Sequence, residues 1–181
     1  MNGQGLRDGI FSLYTRRFGT VAEFMIKRLM DLGKGLNQFH DLYDDAEHFR
    51  VEVKFSVVRK KAEIAITEEN VLRCIEEATA AERMVSFNDD DWKRSDFDCN
   101  IQQVKRDEFD VLYYGLFFSD AIVIFRINSR EIDSQIGYSD KQHKGNVGEG
   151  QFHITPEALK IHLARFHYKT LTYDELLELL R

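Results

Sequence analysis

The first part of the chain has the apolar spacing of amphipathic helices. From about residue 6 to residue 32, apolar positions recur every three or four residues, which predicts helix. Gly19 is expected to divide this segment into two helices, with Thr20 as the N-cap of the second. Gly33 and Gly35 are expected to end the second helix.

Three more helices are predicted from their starting residues. Thr67 is a suitable cap for a helix that continues to about residue 78. Thr155 precedes Pro156, and proline suits the first turn of a helix because the missing N–H has no partner there. Thr172 and Glu175 have the spacing of a capping box and predict a C-terminal helix.

Strand-like segments occupy the middle of the chain. A hairpin is predicted over 39–58, a strand over 61–66, another over 99–105, a second hairpin over 111–127 and a short strand over 151–154. Polar loops are expected over 88–100 and 138–150. At 181 residues with one proline and no Gly/Ser-rich run, the chain is expected to be a single domain, 1–181. The order of elements predicts an α/β fold with a mixed central β-sheet flanked by helices.

The hairpin over 39–58 has one polar and one apolar face. If it closes on two or four residues centred on Ala46 and Glu47, Tyr43 lies opposite Arg50. Because side chains alternate across a strand, one face then carries Asp41, Tyr43, Arg50, Glu52 and Lys54. The other face is mostly apolar and is expected to pack against helices: His40, Leu42, Asp44, Phe49, Val51, Val53 and Phe55.

The polar face is suited to binding a metal ion beside a phosphate. Mg²⁺ keeps several waters, so Asp41 and Glu52 suffice as carboxylate ligands, with the Val53 carbonyl as a third. Lys54 lies two residues beyond Glu52, where it could orient or deprotonate the attacking water and stabilise the transition state. Mn²⁺ is an alternative to Mg²⁺.

Two alternatives remain open for this hairpin. Asp44 and Asp45 are rivals of Asp41 for the first carboxylate position, because a shifted register would change which residue faces Glu52. The same residues are also compatible with ordinary cross-strand ion pairs on a surface hairpin, without any metal.

Composition restricts the class of protein. The net charge of −6 counts mildly against nucleic-acid binding, although local basic clusters matter more than the total. The two cysteines, Cys74 and Cys99, are isolated in sequence, so a disulfide framework is not expected. A cytoplasmic location is expected instead. No stretch approaches the ~18 apolar residues of a membrane span, so no membrane partner is expected.

Residues that could contact DNA follow the hairpin. Gln103 and Lys105, with Asp96 and Asp98 upstream, are a competing candidate for the metal site, but Gln is a poorer Mg²⁺ ligand than Glu because it carries no charge. Gln103 and Lys105 are therefore taken as supporting residues on a neighbouring strand. Asn and Gln can contact adenine, and Lys can contact guanine or phosphate. A possible recognition segment over 138–154 collects further residues of this kind: Lys141, Gln142, His143, Lys144, Asn146, Gln151 and His153.

The residues from about 18 to 56 resemble the PD-(D/E)XK nuclease superfamily. In that family a helix precedes a hairpin whose first strand carries an Asp and whose second carries Glu-x-Lys, similar to Asp41 and Glu52-Val53-Lys54. The family often has a glutamate in the preceding helix, and Glu23 matches it. Phe39-His40 stands where the family name has a proline. The resemblance therefore implies catalytic roles for Asp41, Glu52, Lys54 and Glu23.

The family resemblance also implies the activity. It implies a restriction-endonuclease-like fold and a Mg²⁺-dependent DNA endonuclease, most similar to a type II restriction enzyme cutting double-stranded DNA. One domain holds one active site, so a homodimer is expected, with the N-terminal or C-terminal helices as candidates for its interface. The alternatives are a Holliday-junction resolvase or DNA-repair nuclease, and a DNA-binding or interaction protein that keeps the fold without catalysis.

Overall fold

The computed structural model describes residues 1–61, 65–77, 83–141 and 147–181. Its helices are α1 (Gly3–Phe11), α2 (Thr15–Met30), α3 (Val71–Glu77), α4 (Pro156–Arg165) and α5 (Tyr173–Leu180). Its strands are β1 (Gly33–Lys34), β2 (Leu42–Asp44), β3 (Phe49–Val57), β4 (Cys99–Val104), β5 (Val111–Phe117), β6 (Ile122–Asn128), β7 (Ser139–Lys141), β8 (Val147–Ile154) and β9 (His167–Leu171).

The strands form two sheets. The central sheet has the order β1-β2-β3-β5-β6-β9, and a smaller sheet has the order β4-β8-β7. In the central sheet β3 pairs with β5 in parallel, whereas the other neighbours are antiparallel. The prediction of an α/β fold with a mixed central sheet flanked by helices is therefore confirmed.

The core lies on both faces of the central sheet. On one face, apolar residues of α1, α2 and α5 pack against alternate residues of the strands, including Val51, Val53 and Tyr113. On the other face, Leu112 and Tyr114 pack against the inner side of the smaller sheet and against α4. The central sheet is thus covered by helices on one face and by the smaller sheet with α4 on the other.

The N-terminal helices differ from the prediction. The break between α1 and α2 lies at residues 12–14, and Gly19 is inside α2, so the proposed break and the Thr20 cap are wrong. The buried residues Phe18 and Ala22 flank Gly19 on the inner side of α2, and their packing maintains the helix across the glycine. The helix ends at Asp31, which has a left-handed φ of 52°, and not at a glycine.

The caps of α4 and α5 are as predicted. The Thr155 hydroxyl accepts a hydrogen bond from the Ala158 N–H, with Pro156 in the first turn. Thr172 and Glu175 form a reciprocal capping box. The remaining predicted helix begins later than expected, since α3 starts at Val71 and not directly after Thr67.

Several strands were not predicted. β1 and β9 occupy the two edges of the central sheet, and β7 with the first half of β8 replaces part of the loop expected over 138–150. At Gly150, a Cβ would lie 2.0 Å from the Tyr138 hydroxyl oxygen, so this glycine permits close packing of a strand. The strand predicted over 61–66 includes residues 62–64, which lie outside the described residues.

β4 lies in the smaller sheet, which corrects its expected place beside β3. Its hydrogen-bonded neighbour is β8, with Asn100 opposite His153. The strand beside β3 is β5, which reaches its parallel position after the long connection that includes α3 and β4. β4 still contacts β3, and the Cys99 thiol lies 3.9 Å from the Val57 carbonyl oxygen.

Candidate active site

The hairpin of β2 and β3 has the predicted register. Tyr43 pairs with Arg50, and the ladder closes at Asp44 and Phe49. The connection is therefore the four-residue form, residues 45–48, and the Asp44 carboxylate holds it by accepting from the backbone N–H groups of Ala46 and Glu47. If this register is continued by one residue beyond the Leu42–Val51 pair, Asp41 lies opposite Glu52.

Asp41 lies immediately before β2 and fills a gap in the sheet. The last β2 residue paired with β3 is Leu42, opposite Val51, so the backbone of Val53 has no β2 partner. Instead, the Val53 N–H donates to the Asp41 carboxylate oxygen Oδ2 at 2.9 Å. The N–H and C=O of one strand residue point to the same side, so the Val53 carbonyl faces the side on which Asp41 lies.

Glu52 and Lys54 project from the opposite face to Val53. They are paired across the parallel ladder with Leu112 and Tyr114, whose side chains pack against the smaller sheet. The Lys54 ammonium forms an ion pair with the Glu52 carboxylate. Glu52 is 8% exposed, which is unusual for a glutamate in a region near the edge of a sheet.

The electrostatics of this site favour an additional positive charge. Burial, partly offset by Lys54, and the nearby Asp41 raise the pKa of Glu52 to about 7. Burial alone would lower the pKa of Lys54, but the negative charges of Glu52, Asp41 and Glu23 outweigh it and raise that pKa. Lys54 is therefore an ammonium group in this state, which suits orienting a phosphate or a water rather than accepting a proton.

Glu23 belongs to the same electrostatic group. It lies in α2, which packs against β3. Burial and the charge of Asp41 raise the pKa of the Glu23 carboxyl, while Lys54 lowers it. The negative charges of three carboxyl groups thus act on one lysine, so the four residues for which catalytic roles were predicted are near enough to interact electrostatically.

The donor set fits a magnesium ion. Two carboxylates and the Val53 carbonyl are hard oxygen ligands, and Mg²⁺ completes its octahedron with water. A divalent cation would stabilise the ionised form of Glu52, which burial and the nearby negative charge of Asp41 disfavour. Among the residues that the structure describes, no group of three or more His, Cys, Asp and Glu side chains is arranged to hold a metal ion. The proposed site has only two side-chain ligands, Asp41 and Glu52, so it does not require such a group of three.

Asp44 and Asp45, the two rivals of Asp41 for the first carboxylate position, lie in the hairpin turn or at its start. Asp44 points into the hairpin turn, where it accepts the two N–H groups of the turn. Asp45 is exposed in that turn. Neither occupies the position next to the Val53 N–H, which Asp41 takes.

Arg50, on the polar face of the hairpin, is committed to a structural pair. Its guanidinium binds both carboxylate oxygens of Asp110, at 3.0 and 2.9 Å, and its backbone N–H also donates to that carboxylate. The hydrogen bonds with Asp110 raise the pKa of Arg50, and the same bonds lower the pKa of Asp110. This pair joins β3 to the start of β5 and leaves Lys54 as the cation beside Glu52.

Sequence reasoning missed Glu108, which lies close to the candidate site. Its negative charge contributes to the raised pKa of Glu52. The Lys105 ammonium lies 3.6 Å from Glu108 and 3.5 Å from Glu149 of β8. Lys105 is therefore near the site through Glu108, although β4 is not the strand beside β3. No motif includes Glu108, because its proximity depends on the turn between β4 and β5.

Gln103 has an uncommon backbone conformation. Its φ is 58°, and it lies where the register of β4 and β8 shifts between Ile101 and Val104. A left-handed backbone at a residue with a side chain is uncommon and is typical of a β-bulge. The bulge leaves the Gln103 side chain exposed.

The other predicted DNA contacts are distributed over the smaller sheet. Gln151 accepts from the Asn100 amide at 3.2 Å, and His153 pairs with Asp98 at 2.8 Å. These side chains and Glu149 share the outer face of β8, opposite buried Phe152 and Ile154. Lys141 is exposed at the end of β7. Four predicted contacts lie outside the described residues: Gln142, His143, Lys144 and Asn146.

No family model, curated protein or solved structure matches this chain. Within the described ranges, no helix has the length and apolar character needed to span a membrane.

Proposed function

We propose that this protein is a Mg²⁺-dependent DNA endonuclease with a restriction-endonuclease-like fold and a PD-(D/E)XK active site. The observation that supports this most strongly is that Lys54 forms an ion pair with the buried Glu52 and also interacts electrostatically with Asp41 and Glu23. Burial, with a smaller contribution from the negative charge of Asp41, raises the pKa of Glu52 to about 7 although Lys54 lowers it. An ordinary surface ion pair has no buried carboxylate and no such excess of carboxyl groups over cations.

Each residue has a defined role in this proposal. Asp41 and Glu52 hold the metal through carboxylate oxygens, and the Val53 carbonyl is the third protein ligand. A bound Mg²⁺ lowers the pKa of a coordinated water and neutralises charge on the phosphate. Lys54 orients the attacking water and offsets charge in the transition state. Glu23 holds a water or a second metal at the α2 side of the site.

The substrate of the proposed enzyme is double-stranded DNA. Lys105, which directly follows β4, lies 3.6 Å from Glu108, whose charge acts on Glu52, and would contact a phosphate. The exposed Gln103 and the outer face of β8, with Gln151 and His153, would contact bases, together with the segment that includes Lys141. Cutting both strands requires two active sites, so the active form is a homodimer.

Cleavage of supercoiled plasmid DNA tests this function. The wild type should produce discrete fragments with Mg²⁺ or Mn²⁺ and none with EDTA, and Glu52→Gln should be inactive. Discrete fragments support a restriction enzyme, whereas preference for four-way junctions over duplex supports a resolvase or repair nuclease. Absence of cleavage of every DNA substrate with either metal would contradict the proposal and favour a non-catalytic interaction protein.

A further inference from the structure

The backbone that carries Asp41 is a loop whose two ends are joined by a hydrogen bond. We call residues 35–41 the Asp41 loop. The Gly35 N–H donates to the Asp41 carbonyl oxygen at 3.0 Å. Within it, the Phe39 N–H donates to the Asn37 side-chain oxygen at 2.9 Å. The loop therefore has a defined shape although Leu36 and Phe39 are exposed on its surface.

The side chain of His40 forms a hydrogen bond with the backbone inside this loop. The Leu36 N–H donates to the His40 ring nitrogen Nε2 at 3.2 Å, and His40 is only 5% exposed. Because Nε2 accepts, the proton of the neutral ring lies on Nδ1. The imidazole of His40, the residue before Asp41, is thus a buried acceptor for the Leu36 N–H in place of a backbone carbonyl.

Gly35 shows how closely the ends of the loop approach each other. A Cβ at this position would lie 2.1 Å from the His40 carbonyl oxygen and 3.1 Å from the Asp41 carbonyl oxygen. Only glycine permits this approach, since the atoms in the way belong to the backbone. The loop therefore depends on a glycine at one end and on the His40 ring in its interior.

We infer that His40 is a positioning residue that fixes Asp41 for cation binding. The inference rests on the proposed function. Asp41 has one carboxylate oxygen bound to the Val53 N–H, and the direction of the other depends on the backbone that the Asp41 loop fixes. The loss of the His40 acceptor frees Leu36 and the residues up to Asp41. Loss of a group that orients a ligand typically lowers metal affinity about 10- to 100-fold.

Two substitutions at His40 separate its hydrogen bond from its packing. His40→Leu keeps apolar bulk and removes the acceptor, whereas His40→Gln supplies a side-chain oxygen at similar reach. In titrations of the full chain with Mn²⁺, we expect His40→Leu to bind about 10- to 100-fold more weakly and His40→Gln to recover most of the affinity. In plasmid cleavage, excess Mn²⁺ should restore the rate of His40→Leu but not that of Asp41→Asn.

A second variant tests the same hydrogen bond from its donor. Leu36→Pro removes the N–H while the exposed Leu36 side chain makes little packing, so this variant replaces His40→Leu if that protein does not fold. Asp45→Asn, on the same hairpin but in the exposed turn, is the control and should bind like the wild type. Wild-type affinity in the folded His40→Leu or Leu36→Pro protein would overturn the inference and leave the proposed function intact. A wild type that binds no Mn²⁺ would overturn both.

Discussion

Glu52 is a single buried carboxyl group that makes the stability of the protein depend on pH. Its pKa is raised from 4.5 to about 7 in the folded state, so the folded protein holds a proton that the unfolded chain releases. The resulting stabilisation is fully present below pH ~4.5 and is lost as the pH rises through ~7, on the order of 3 kcal/mol in total. Urea unfolding in EDTA should show this loss for the wild type and a weaker one for Glu52→Gln.

The same group links metal binding to pH. A cation must displace the Glu52 proton, so Mg²⁺ affinity should fall roughly tenfold for each pH unit below ~7. Thermal unfolding at pH 8 should show stabilisation of the wild type by Mg²⁺ and none for Glu52→Gln. Equal stabilisation of both proteins would mean that the cation binds elsewhere.

Asp41 and Asp45 are matched aspartates on one hairpin with different expected effects. Asp41 lies beside Glu52 and binds the Val53 N–H, whereas Asp45 is exposed in the turn. Asp41→Asn should reduce Mg²⁺-dependent cleavage at least about 100-fold, because an amide is a poor Mg²⁺ ligand. Asp45→Asn should cleave like the wild type. The rate of plasmid nicking measures both, and an equal loss in the two variants would contradict the assignment.

Side-chain alternation in the sequence was sufficient to predict which residues meet on the polar face of the hairpin. It depends only on the period of a strand and on a turn that keeps Tyr43 opposite Arg50. His40 and Glu108 could not be assigned in this way. Their positions relative to Asp41 and Glu52 depend on a closed loop and on a turn between two sheets, which local patterns do not encode.

Two glycines test how the elements are held. At Gly115 in β5, a Cβ would lie 2.2 Å from the Val123 carbonyl oxygen of β6 and 2.5 Å from the Phe55 ring of β3. Gly115→Ala should therefore disturb the strands that carry the site and lower the free energy of unfolding by roughly 1–3 kcal/mol. Chemical denaturation measures this change.

Gly19 is the opposite case and serves as the control. It lies inside α2, and a Cβ there would meet no atom within 4 Å. Gly19→Ala should raise the free energy of unfolding by up to about 1 kcal/mol, since alanine favours helix over glycine. A destabilised Gly19→Ala protein would indicate that the helix breaks at Gly19, as the sequence alone had suggested.

The capped helices and the two hairpins were predictable because their signals are local. The Thr172–Glu175 capping box and the alternation in β3 are both read within a few residues. The edge strand β9 was not predicted, because it is short and its residues are mostly exposed. The pairing of β4 with β8 joins segments about 50 residues apart, and only the complete fold determines it.

At the scale of the whole molecule, helices α1, α2 and α5 cover one face of the central sheet. The proposed dimer interface lies on these helices. α1 and α5 pack against each other, and the sides that face away from the sheet are the surface that we propose for contact with a second copy. Because two active sites are needed to cut both strands, light scattering of the complex with a DNA duplex should give the mass of the duplex plus about twice 21.2 kDa. A monomer that converts plasmid directly to the linear form would contradict the dimer.

The central claim is that Asp41, Glu52 and Lys54 form a Mg²⁺-dependent nuclease site. The most direct measurement is the rate of the first nick in supercoiled plasmid, for wild type and Glu52→Gln purified in parallel. The account predicts nicking by the wild type with Mg²⁺, none in EDTA, and a loss of at least about 100-fold in Glu52→Gln. Equal nicking by both proteins, or none by either, would contradict it.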